Sequence, residues 1–147
     1  MAKMDLLNRF GKAYKNEGLP PVAGKIMGLF YISDKKYFDF DEIVAEVDAS
    51  KGAVSKNLKL LIKLRRITHV ACKESVRKRL FFLDINGVKY YIRFVIENYK
   101  AQDQLLKESL ELRSKENNEL NDFIKNSLEY NKEVLTFLEL KRKQYFK

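Results

Sequence analysis

Residues 39–66 read DFDEIVAEVDASKGAVSKNLKLLIKLRR, and this stretch predicts two short helices joined by a tight turn. Asp39 is followed three residues later by Glu42. This is the spacing of a capping box, in which two side chains satisfy backbone N–H groups at the start of a helix. Ser50 is a favourable first cap for the next helix, which is predicted to run to about residue 66.

The second of these helices is predicted to carry a basic face. Residues 50–66 contain six Lys or Arg residues and no acidic residue. A helical period places Val54, Leu58, Leu61 and Ile62 on one side. It places Gly52, Ser55, Lys56, Lys59 and Lys63 on the other. A solvated helix face usually mixes both charge signs, so a face of one sign favours an anionic partner.

A small β-hairpin is predicted directly after this helix. From residue 67 the apolar pattern takes a period of two, which predicts strands over 67–72 and 79–83. The residues between them, 73–78, are polar and mostly basic, and are expected to form the loop of the hairpin.

Helices are expected on both sides of this central region. Upstream, apolar spacing predicts helices over residues 3–17 and from 22 to about 33, separated by Gly18 and two prolines. Gly24 and Gly28 lie four residues apart in the second helix and predict close packing against a neighbouring helix. Downstream, residues 86–114 and 118–145 predict two long helices with nearly heptad apolar spacing and Asn131 within the apolar seam.

Composition excludes several classes of function. The 147 residues carry 29 Lys+Arg and 20 Asp+Glu, a net charge of +9, which favours nucleic acid as a partner. One histidine, His69, and one cysteine, Cys72, cannot supply the ligands of a typical zinc site, and no nucleophile–base pair stands out. We therefore expect no metal, no cofactor and no enzymatic activity. With no apolar run of about 20 residues and no signal sequence, the expected location is cytoplasmic, without membrane contact.

Together these elements predict a mainly α fold with a small β-hairpin wing, namely a winged helix-turn-helix followed by long C-terminal dimerisation helices. The expected domains are residues 1–84 for DNA binding and 85–147 for dimerisation. Charge divides in the same way, because residues 1–84 hold 17 basic and 10 acidic side chains, a net of +7. In this arrangement a helix N-terminus enters the major groove, and the basic hairpin reaches the backbone or minor groove.

Three segments resemble one family of proteins. GLPPVAGKIMGL at 18–29, SKGAVSKNL at 50–58 and RKRLFF at 77–82 are similar to the GbsR-type branch of the MarR-like transcriptional regulators. The resemblance covers roughly residues 10–84. It implies a dimeric DNA-binding regulator, with residues 50–52, 55 and 56 at the DNA and Arg77 at the wing tip. Where that branch usually has a leucine–glycine turn, this chain has the residues LRRI at 64–67.

The expected function is sequence-specific binding of a pseudo-palindromic operator by a homodimer, with residues 50–66 in the major groove and 73–79 as the wing. The expected DNA contacts combine the basic helix face with the wing: Ser50, Lys51, Gly52, Ser55, Lys56, Lys59, Arg77, Lys78 and Arg79.

Two further interpretations stay open. Tyr90, Tyr91, Phe94 and Tyr99 could line a pocket for a small-molecule effector of unknown identity, although aromatic residues at helical spacing more often form a core or a dimer interface. The whole chain could also be a protein–protein adaptor without enzymatic activity, a function that does not require a basic helix face. We interpret Cys72 as a small buried strand residue and His69 as structural or exposed.

Overall fold

The computed structural model describes residues 2–147 and contains six helices and one hairpin. In chain order these are α1 (Lys3–Asn16), α2 (Pro21–Ile32), α3 (Phe40–Val47), α4 (Lys51–Lys63), β1 (Ile67–Cys72), β2 (Ser75–Leu83), α5 (Ile85–Leu112) and α6 (Asn118–Tyr145). The chain divides into two compact units, one ending at Val88 and one beginning at Lys89. The predicted fold class, mainly α with a small β-hairpin, is confirmed.

The turn between α1 and α2 is closed by a glycine. Gly18 has a φ of +86°. The N–H of Gly18 donates to the carbonyl of Lys15, and the N–H of Leu19 donates to the carbonyl of Tyr14, both at 3.0 Å. These bonds satisfy the last carbonyl groups of α1. Pro21 then occupies the first position of α2, where its missing N–H leaves no helical hydrogen bond unmade.

The predicted close packing at the two glycines of α2 is confirmed. A Cβ added at Gly24 would lie 2.5 Å from the carbonyl oxygen of Phe10, and one added at Gly28 would lie 2.8 Å from the Phe10 ring. Both glycines therefore allow the backbone of α2 to approach α1. The hydrophobic core of the first unit draws on every element up to β2: Leu7, Ala23, Ile26, Met27, Leu29, Phe30, Phe38, Ile43, Val47, Val54, Leu58, Leu61, Ile67 and Phe81.

The helix-turn-helix begins with the predicted capping box. Oδ1 of Asp39 accepts the N–H of Glu42 at 2.8 Å, and Oε1 of Glu42 accepts the N–H of Asp39 at 3.1 Å. The turn to α4 passes through Asp48, which has a φ of +50°. Ser50 caps α4 as predicted, because its Oγ accepts the N–H of Ala53 at 3.1 Å.

Helix α4 ends at Lys63, three residues earlier than predicted. Arg65 has a φ of +58°, which places it in the left-handed region and stops the helix. The N–H of Arg66 donates to the carbonyl of Leu61 at 2.9 Å, closing the helix end in the way that usually places glycine at this position. The turn thus keeps the backbone geometry of a glycine turn while using an arginine.

The hairpin differs from the prediction at its tip. β1 has the predicted bounds, but β2 begins at Ser75 instead of Arg79, so the turn is only residues 73–74. Pairing is regular from Ile67↔Leu83 to Ala71↔Arg79, and the register shifts before Cys72↔Ser75. The pair Cys72↔Ser75 extends β2 past this irregularity, and the basic side chains of the added segment do not alternate with apolar ones, so a period of two did not reveal it. Arg77 and Lys78 therefore lie in a strand rather than in a loop.

The second unit consists of most of α5 together with α6, close to the predicted ranges. Asn117 caps α6, because its Oδ1 accepts the N–H of Leu120 at 3.1 Å. Between the helices, Nδ2 of Asn131 donates to Oδ1 of Asp103 at 2.8 Å. Asn131 is thus bonded to the neighbouring helix of its own chain. Within residues 2–147 no helix has both the length and the apolar character needed to cross a membrane.

Candidate nucleic-acid interface

The outer face of α4 presents lysine side chains to solvent. Lys51, Lys56 and Lys59 are exposed, while Val54 and Leu61 on the opposite face are fully buried. The buried face fixes the rotation of the helix about its axis, so the lysines have to point outward. Among the described residues no carboxylate forms an ion pair with these lysines. Their charge is therefore available to an external anion.

The first turn of α4 offers backbone as well as side-chain groups. Ser50 and Gly52 are both exposed, and a Cβ added at Gly52 would have no atom within 4 Å. The protein's own packing therefore does not require a glycine at position 52. The Ser50 oxygen already accepts a backbone N–H, but its hydroxyl proton can still be donated. Free N–H groups in the first turn of a helix favour a bound anion.

A cleft of about 440 Å³ separates α4 from β2 and the start of α3. Ser55 and Lys59 line it from α4, and three consecutive basic residues, Arg77, Lys78 and Arg79, line it from β2. Five of the nine residues predicted to contact DNA thus meet at one cleft. The cleft is not lined by the remaining four predicted residues. They belong to α4 and its N-cap: Ser50, Lys51, Gly52 and Lys56.

Acidic side chains, which the sequence did not place here, form the third wall of the cleft. Asp39 and Asp41 both line it from the start of α3. Nζ of Lys78 lies 3.1 Å from Oδ2 of Asp39. This hydrogen bond, together with the charge of Asp39, raises the pKa of Lys78 above its usual value. Arg77 and Arg79 have no such acidic partner among the described residues.

The buried polar residue of α4 is also one that was not predicted. Asn57 is only 5% exposed, and its Nδ2 donates to the carbonyl of Ala53 at 2.7 Å. Its Oδ1 is buried without a hydrogen-bond partner in the described part of the chain. Asn57 lies three residues after Val54 and next to Leu58, so the helical period places it on the buried face, and it was missed because asparagine is a polar residue type.

The other candidate residues lie elsewhere. His69 is exposed with its ring 5.8 Å from that of Phe81, and Cys72 is half-buried, more accessible than predicted. The predicted aromatic set on α5 is exposed: Tyr90, Tyr91, Phe94 and Tyr99. Within the part of the chain described, no group of three or more His, Cys, Asp or Glu residues is arranged to hold a metal ion.

Comparison with known proteins shows that this chain shares its fold with a solved structure. No protein-family model matches the sequence, and no curated protein matches it. The solved structures that resemble it include a transcriptional regulator at 18% identity, with a TM-score of 0.69 over 97% of each chain. That likeness shows that the two chains share one fold along nearly their whole length.

Two weaker likenesses involve proteins solved with DNA or in a DNA-binding state. One is MepR of S. aureus in its DNA-binding conformation, at 16% identity over 86% of this chain and 90% of that one, with a TM-score of 0.47. The other is Sco3205, a MarR family regulator from Streptomyces coelicolor in complex with DNA. It is 16% identical over 86% of this chain and 80% of that one, with a TM-score of 0.47.

Proposed function

We propose that this protein is a double-stranded DNA-binding transcriptional regulator of the MarR-like winged-helix type, in its GbsR-type branch. One observation carries the proposal: Lys59, on the acid-free lysine face of α4, lines the same cleft as the three consecutive basic residues of β2. The fold does not require these positive charges, because the lysines of α4 and the basic residues of β2 lie outside the core. The shared fold with a transcriptional regulator supports it.

In this proposal α4 is the recognition helix. Its first turn enters the major groove, where Ser50, Lys51 and Gly52 approach the backbone and Ser55 and Lys56 reach base edges. A lysine can bond O6 and N7 of guanine, and the half-buried Ser55 can donate to or accept from either strand. Lys59 lies one turn further along and faces phosphate.

The wing supplies affinity rather than sequence selection. Arg77 and Arg79 stand on β2 across the cleft from Lys59. Phosphate contacts of this kind fix the register of a protein on the duplex without carrying sequence information. An arginine at the wing can also enter the minor groove, where the potential is most negative in narrow A·T tracts.

The regulator acts as a homodimer, with residues 1–84 binding DNA and residues 85–147 forming the dimer. Apolar side chains of the second unit stand in solvent in the single chain, among them Phe123 at 66%, Tyr130 at 67% and Phe137 at 58% exposure. Exposed apolar surface on this scale is unusual for a monomer. A two-fold dimer covers such a surface with its own copy and directs the two α4 helices to the halves of a pseudo-palindromic operator.

The proposal is tested by titrating duplex DNA with the full chain at several salt concentrations. Each phosphate neutralised contributes about −0.9 to the slope of log K against log salt, so a dimer with two helices and two wings should give a steep slope. Lys59→Ala should make the slope shallower, whereas Lys125→Ala, an equal charge change on an exposed lysine of α6, should not. Absence of binding at low salt would reject the proposal and leave the adaptor interpretation.

A further inference from the structure

Two of the contacts that join the hairpin to the start of α3 and the segment before it act on different parts of the hairpin. Phe38 and Phe81 exchange both backbone hydrogen bonds, at 3.0 and 2.8 Å, as a short antiparallel bridge. Both side chains are nearly completely buried. The stem of the hairpin is therefore fixed to the segment before α3 by backbone bonds that the core protects from water.

The tip of the hairpin is held differently. Regular strand pairing stops at Ala71↔Arg79, and the next pair is Cys72↔Ser75, so Arg77 and Lys78 of β2 have no paired residue opposite. Lys78 is the first residue beyond the regular ladder. Its ammonium group reaches the carboxylate of Asp39, which is only 14% exposed. This contact therefore connects the tip with the body of the domain.

Asp39 is well suited to hold another side chain in place. Its Oδ1 is already bound to the N–H of Glu42 in the capping box, which fixes the orientation of the carboxylate. Its Oδ2 is then directed at Lys78. Glu42 is in turn paired with Lys35, so the capping box is braced from its far side as well. A carboxylate with restricted rotation loses little conformational entropy when it binds a second partner.

We infer that Asp39 is a positioning residue for DNA binding, because it holds Lys78 and thereby sets the wing tip, with Arg77, beside α4. This inference rests on the proposed function and deepens it. It changes the role predicted for Lys78, from a phosphate contact to the link between wing and domain. Arg77, the neighbour of Lys78 in β2 and without an acidic partner among the described residues, remains the phosphate-binding group of the tip.

The substitution Asp39→Asn separates the two roles of this residue. Asparagine is as good an N-cap as aspartate, so the capping of α3 and the melting temperature should be retained. The ion pair with Lys78 is lost. Simple electrostatics predicts tighter DNA binding, because a negative charge near phosphate has been removed. If Asp39 positions the wing through Lys78, the variant should instead bind DNA more weakly. The expected loss of affinity is about two- to fivefold, the modest effect of a partly exposed ion pair.

Asp41→Asn is the matched control, because it removes the same charge from the same cleft without touching the Lys78 contact. It should leave the affinity unchanged or raise it. Lys78→Ala should weaken DNA binding as Asp39→Asn does, and the double variant should bind no more weakly than either single variant. Lys78→Arg keeps the positive charge and should retain the wild-type affinity. Asp39→Asn binding as tightly as Asp41→Asn, or Lys78→Ala flattening the salt slope while Asp39→Asn leaves it unchanged, would overturn the inference.

A second measurement does not depend on DNA. In the free protein, Asp39→Asn and Lys78→Ala should both speed amide hydrogen exchange at Cys72 and Ser75, the pair beyond the register shift, while leaving 79–83 protected, because the stem keeps its own bonds. Unchanged exchange at Cys72 and Ser75 would also overturn the inference. If the wild-type chain bound no DNA while these amides responded, the proposed function would fail and the link between Asp39 and the wing would stand.

Discussion

At the scale of single residues, a substitution at Gly52 separates an effect on protein stability from an effect on DNA binding. Its position in the first turn of α4 has open space around it, so an alanine fits without any adjustment. Because glycine in a helix is about 0.5–1 kcal/mol less favourable than alanine, Gly52→Ala should raise the free energy of unfolding by up to that amount. If DNA approaches the backbone here, the same variant should bind DNA more weakly. Urea unfolding and DNA titration measure the two effects.

Gly87→Ala is the control for this experiment. A Cβ at Gly87 would lie 1.9 Å from the carbonyl oxygen of Arg65, so this variant has to shift the backbone and should lower the free energy of unfolding. The same chemical change thus has opposite effects on stability at the two glycines. If Gly52→Ala stabilises the protein and leaves the DNA affinity unchanged, DNA does not approach the backbone closely at this position.

Some features of single residues could be predicted from the sequence and others could not. The caps at Asp39 and Ser50 were predictable, because a cap needs only residues three positions apart. The contact between Asp39 and Lys78 was not, because it joins residues that the chain brings together only after the hairpin has folded back. Arg65 was unpredictable for another reason: its left-handed conformation is one that arginine rarely adopts, so the residue type gave no signal for the end of α4.

At the scale of elements, α4 and β2 should contribute in different ways to recognition. Lys56 is exposed one turn into α4, so we expect its loss to cost about 1–3 kcal/mol at the preferred site and to relax selectivity at one position. Arg77 lies on the wing, so Arg77→Ala should weaken all duplexes alike. Binding selections on a randomised duplex library, made with each variant, compare the two. Equal weakening of every sequence by Lys56→Ala would make Lys56 a phosphate contact.

The elements themselves were predictable to different degrees. The helices followed from apolar spacing and from glycine and proline at their ends, which act over short distances. The first part of β2 carries Arg77, Lys78 and Arg79 with no alternation of apolar residues, and it is bounded by the pairs Cys72↔Ser75 and Ala71↔Arg79, which a short-range apolar pattern does not show. The bridge of Phe38 to Phe81 depends on a contact between distant parts of the chain, and short-range patterns contain no record of it.

At the scale of the whole molecule, the full chain should be a dimer at micromolar concentration. The reason is the apolar surface that α5 and α6 expose after residue 88. A truncated chain ending at Val88 keeps Gly87 against the turn after α4 and should be a monomer with weaker DNA binding. Light scattering gives the mass of each protein. A full chain that stays monomeric would remove the basis for a palindromic operator, because one copy carries only one α4.

The glycine-lined contact of α1 with α2 has a consequence for how the chain folds as it is made. The two helices are joined by only four residues, 17–20, so closing this loop loses little entropy. Their contact joins residues that are close in sequence, whereas the Phe38–Phe81 bridge spans 43 residues. The helical hairpin should therefore gain protection first in pulse-labelled refolding, with the wing following. The N-terminal helices would then already be paired on the ribosome when α4 emerges.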